Sequence, residues 1–109
     1  MGHFDFLETI EARGGSFNVH GICDEEFTPV YEAFKENFVA EEELGAACSV
    51  VIDGETVVDL WGGWARADRS VRWDEHTTVC MMSVAKGVTG ICFNMAIDRG
   101  LVDPNERVA

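Results

Sequence analysis

The period of the apolar positions changes along the chain and divides it into segments. Phe27, Val30, Tyr31, Phe34 and Phe38 recur at three-four spacing, with Glu32, Lys35 and Glu36 between them. That spacing predicts an amphipathic helix with a core-facing stripe. Thr28-Pro29 reads as N-cap and first helical residue, with Asp24 the alternative for an earlier start. Tyr31 sits on the stripe and is therefore a packing residue rather than a catalytic one.

A hairpin follows. Ala46 to Ile52 is a nearly unbroken apolar run, Asp53-Gly54 supplies a tight turn, and Thr56 to Trp61 returns. The first strand lacks polar alternation, which predicts burial on both faces and hence further strands and helices around it. Gly62-Gly63-Trp64-Ala65 continues as a bent or third strand, the paired glycines permitting a bulge. Residues 66 to 76 are polar with interspersed aromatics and read as a loop, and Thr77 to Met82 as a short extended approach.

From Ser83 to about Arg99 the pattern turns helical, with Gly100 as C-terminal cap and Pro104 beyond it. Val84, Val88, Ile91, Cys92 and Met95 make one apolar face, while Ala85, Phe93, Ala96 and Ile97 cover most of the rest. A helix apolar nearly all round is expected to be buried. Ser83, Lys86, Gly87, Gly90 and Asn94 form its one narrow stripe of small and polar residues. Residues 1–20 read as an N-terminal leader, in which Phe4, Leu7 and Ile10 give one edge of a short helix ended by Gly14-Gly15. Residues 21–109 form the rest of the predicted organisation.

Composition narrows the function classes. Twenty acidic against eight basic residues give a net charge of −12. Such a surface repels phosphate backbones and anionic lipid, which argues against nucleic-acid and membrane partners. The runs Asp24-Glu25-Glu26 and Glu41-Glu42-Glu43 read as solvated helix ends. No apolar run has the length of a membrane span, and the first residues lack the basic and apolar regions of a secretory signal. A cytoplasmic protein is expected. The four cysteines, Cys23, Cys48, Cys80 and Cys92, are irregularly spaced, and most lie in apolar stretches where a reduced thiol behaves as a small hydrophobe. A disulfide framework is not expected.

The chemistry lies at the start of the last helix. Ser83-Val84-Ala85-Lys86 has the S-x-x-K spacing, which puts the Lys86 amine on the same helical face as the Ser83 hydroxyl. A serine hydroxyl is a weak nucleophile and needs a base or a stabilised alkoxide. The positive end of the helix dipole favours negative charge at Ser83, whose backbone N–H is a candidate oxyanion donor. Burial of Lys86 would lower its pKa and help it act as a base. The competing structural reading has Ser83 capping the helix and Lys86 reaching to water.

Several motifs arrive in order along the chain. Asp53-Gly54-Glu55 comes first, with Val57-Val58-Asp59-Leu60-Trp61-Gly62-Gly63 after it. Trp73-Asp74 and Cys80-Met81-Met82-Ser83-Val84-Ala85-Lys86-Gly87-Val88-Thr89 follow, and Asp98-Arg99-Gly100-Leu101-Val102-Asp103 closes the series. Together they resemble the beginning of the serine β-lactamase-related family, most closely its class C-like esterases, the family VIII carboxylesterases.

The resemblance covers about residues 21 to 109. It implies an α/β fold of the α+β type, β-lactamase/transpeptidase-like, with an antiparallel sheet flanked by helices and incomplete in this chain. It also implies acyl transfer through Ser83 and Lys86, a small-molecule ester or β-lactam substrate, and no metal or cofactor. A later Tyr-x-Asn motif would share base duty with Lys86. That motif is absent, since Tyr31 is the only tyrosine, and no Lys-Thr-Gly or His-x-Gly follows the nucleophile. The resemblance therefore implies a partial or degenerate copy that does not turn over substrate alone.

Two other readings compete with a hydrolase. His20 with Cys23 and His76 with Cys80 could be ligand pairs of a zinc module, although their spacings differ. A β-lactamase-like scaffold without catalysis, serving as a binding module, is the second.

Overall fold

A computed structural model describes residues 6–13, 15–40 and 43–108, with the side chains of Phe6 and Leu7 outside that description. Phe4, Gly14, Glu41 and Glu42 also lie outside the described residues. The chain divides into two units, residues 1–77 and 78–109.

The first unit is a four-stranded antiparallel sheet with one helix. The strands are β1 (Phe6–Ala12), β2 (Gly15–Cys23), β3 (Gly45–Ile52) and β4 (Glu55–Gly63), in the order β1-β2-β4-β3. The helix α1 (Thr28–Ala40) follows β2 through a 3-10 turn at Glu25–Phe27. Together with the helix of the second unit, this is the antiparallel sheet with helices expected of a β-lactamase-like α/β chain.

The described residues of the expected leader do not form a short helix: 6–12 make β1 and 15–20 belong to β2. From Ser16 the sequence alternates strictly, and the structure buries Phe17 and Val19 while leaving Ser16, Asn18 and His20 half-buried. That is the two-residue period of a half-buried strand. The strand is completed by long-range pairing, Val19 opposite Gly62 and Cys23 opposite Val58. Gly21 makes this approach possible: its φ is +122°, and a Cβ there would stand 1.8 Å from the Asp59 carbonyl oxygen.

The hairpin of β3 and β4 forms as its turn chemistry predicts. Asp53 and Gly54 both take positive φ, 51° and 84°, as a tight two-residue hairpin turn requires. Burial of β3 on both faces does not occur. It is an edge strand, with Ala46, Cys48 and Val50 half-buried and Ala47, Ser49 and Val51 exposed. Only β4, paired on both sides, carries fully buried residues of this hairpin, Val58 and Leu60. The bulge lies between Val50 and Val51 rather than at Gly62-Gly63. Gly63 instead takes φ +83°, and Trp64 pairs in an isolated bridge with Arg72.

The core lies between one face of the sheet and α1. It comprises Ile10, Phe17, Val19, Cys23, Phe34, Phe38, Val58 and Leu60. Phe38 stacks against Phe17 with ring centroids 5.3 Å apart and against Phe34 at 5.4 Å. Tyr31 packs at the margin of this cluster, as the helical stripe predicts, and its hydroxyl donates to a Glu8 carboxylate oxygen. Thr28 is the first residue of α1, and its hydroxyl donates to the Glu25 carbonyl at 2.7 Å instead of capping the helix.

The loop after β4 is held by its own bonds. Trp73 N–H donates to the Gly63 carbonyl at 3.0 Å and Ala65 N–H to Val71 at 2.9 Å. The Arg72 guanidinium lies 3.6 Å from the Trp64 ring centroid. Asp74 closes a turn in which its carboxylate accepts from His76 N–H and from the Thr77 hydroxyl, each at 2.9 Å. These bonds hold the Asp74 carboxyl below its ordinary pKa, the Thr77 hydroxyl contributing most.

The second unit contains the helix α2 (Val84–Asp98). Its end is a Schellman motif: Gly100 takes φ +68°, its N–H donates to Ile97 at 2.9 Å, and Leu101 N–H donates to Ala96 at 2.9 Å. The burial expected of this helix is not met. None of its residues is buried, and Ile91 is 64% exposed. A single helix has no second element within its own unit against which to bury two apolar faces.

Candidate active site

Ser83 stands at the N-cap of α2 with φ 63° and ψ −9°. This is the left-handed region, whereas an N-cap residue ordinarily has extended backbone angles. A residue with a Cβ holds that conformation at a cost of roughly 1–2 kcal/mol. The Ser83 hydroxyl makes no capping bond to the helix backbone. It accepts instead from the Lys86 ammonium, with Nζ 3.0 Å from Oγ. Lys86 N–H also donates to the Ser83 carbonyl at 3.1 Å, closing the first turn. The structural reading in which Ser83 caps the helix through its side chain is thereby set aside.

This arrangement has two chemical consequences. A cation in hydrogen-bond contact with a hydroxyl lowers the cost of the alkoxide, and a neutral amine at the same place can take its proton. The helix N-terminus adds backbone N–H groups without intrahelical acceptors, oriented toward charge that develops there. Lys86 is exposed, not buried as the apolar pattern of α2 predicts. No feature of the sequence signals the left-handed backbone at Ser83, because serine is not among the residues that favour positive φ.

The other candidate residues of the first unit have contacts of their own within it. Tyr31 belongs to the first unit and is engaged with Glu8. Cys23 is buried, its thiol donating to the Phe27 carbonyl at 3.4 Å. Burial, with smaller contributions from the charges of Asp24 and Cys48, pushes that thiol up and disfavours the thiolate a metal needs. His20 lies on the opposite side of β2 and stacks on Trp61, ring centroids 6.2 Å apart. His76 is exposed beside Glu75 at 3.5 Å, while Cys80 is in the second unit. Among the described residues no three His, Cys, Asp or Glu side chains converge as metal ligands. His20 and Cys23 are therefore not assembled as a ligand pair. No helix of the described residues is long and apolar enough to cross a membrane.

An open groove of about 410 Å³ runs along Ile91, Asn94, Met95, Asp98 and Arg99. At 1.5 Å rise per residue it begins roughly 12 Å along the axis from Ser83. It is a separate surface of α2 and not a pocket for a group reacting at the serine.

A serine and a lysine thus meet at a helix N-terminus, in a chain with an antiparallel sheet. Residues 32–109 match the family model described as Beta-lactamase, and the chain belongs to this serine β-lactamase-related family. Among its relatives is the Esterase/beta-lactamase LipL of Mycobacterium tuberculosis, 36% identical over 91 residues, which are 84% of this chain and 21% of that protein. A crystal structure of a family VIII carboxylesterase superposes with a TM-score of 0.77 at 44% identity, covering 82% of this chain and 24% of the other. The chain thus spans less than a quarter of the length of LipL and about a quarter of the carboxylesterase.

Proposed function

We propose that these residues carry the nucleophile of a serine hydrolase acting on small-molecule esters through an acyl-enzyme. The observation that supports this most directly is the 3.0 Å contact between Lys86 Nζ and Ser83 Oγ at the start of α2. In the proposed reaction Ser83 Oγ bonds to the substrate carbonyl carbon as its proton passes to the base. Collapse of the tetrahedral intermediate breaks the ester C–O bond, and the alcohol leaves with a proton. Water then attacks the acyl carbon and restores the hydroxyl. Esters are preferred over β-lactams because both relatives bear esterase names, and the LipL name includes both activities.

The reading extends to this chain's own limits. Tyr31 is the only tyrosine in the sequence and is committed to Glu8. We therefore expect the 109 residues alone not to turn over substrate. Four free cysteines support a reducing, cytoplasmic setting.

A fluorophosphonate or penicillin probe, applied to a full-length product containing these residues, tests the proposal. Covalent labelling that disappears in Ser83→Ala is the expected result. Equal labelling of the variant would remove Ser83 from the mechanism. A folded product that takes no probe would favour the scaffold.

A further inference from the structure

We draw no further inference here: the strongest candidate, the open groove along Ile91, Asn94, Met95, Asp98 and Arg99 on the apolar surface of α2, carries nothing because nothing in the structure shows what covers it.

Discussion

Replacing Ser83 by glycine should stabilise the protein while abolishing its nucleophile. Ser83 holds φ 63°, and the left-handed region costs a residue with a Cβ roughly 1–2 kcal/mol that glycine does not pay. Against this, glycine gives the unfolded chain more freedom than alanine, worth about 0.4–1 kcal/mol. Both Ser83→Gly and Ser83→Ala remove the hydroxyl and its exposed contact with Lys86, so that loss cancels between them. The glycine variant should thus exceed the alanine variant in stability by about 1 kcal/mol. Because the Ser83 side chain makes no capping bond, no cap is lost in either. Urea unfolding of a full-length product containing these residues, followed by circular dichroism, measures the difference, read from the midpoints at equal slope. An alanine variant as stable as the glycine variant, or more so, would refute the strained backbone at the nucleophile. Neither variant should react with a fluorophosphonate. The gain in stability would then mark strain held at a functional position.

Four other outcomes are expected. Lys86→Ala should lower the rate of probe acylation of a full-length product by about 10²–10⁴-fold, with Ser83 still present, as measured by stopped-flow or mass spectrometry; an unchanged rate would remove Lys86 from base duty. Phe38→Ala should cost about 3–5 kcal/mol in denaturant unfolding of a full-length product, because Phe38 is 1% exposed and packs on both Phe17 and Phe34. The Asp74 carboxyl, titrated by NMR, should have a midpoint below the ordinary aspartate value of 3.8, and Thr77→Val should raise it. Since its folded pKa is depressed, the stability this group contributes is present above 3.8 and is lost as pH falls through the folded value. The isolated chain should bind hydrophobic dye and scatter light, given the exposed Val51, Val88, Ile91 and Phe93; a monomeric, sharply cooperative transition would contradict this.

Features set by neighbouring residues were legible in the sequence. The stripe from Phe27 to Phe38 produced α1, Asp53-Gly54 produced its positive-φ turn, and Gly100 ended α2. The Ser83 hydroxyl and Lys86 amine do meet, as their spacing suggests, but through a left-handed N-cap residue rather than through regular helical geometry. What tertiary structure alone decided depends on partners distant in the chain. β2 became a strand through pairing of Val19–Cys23 with β4 and packing of Phe17 on Phe38 of α1, contacts that no local window contains. The expected double-sided burial of β3 failed because strand order left it at an edge, with one neighbour and one covered face. The exposure of α2 and the left-handed turn at Ser83 likewise escaped the pattern. Apolar periodicity tells which side chains would gain from burial, but only the assembled neighbours determine whether they are covered and which backbone strain is held.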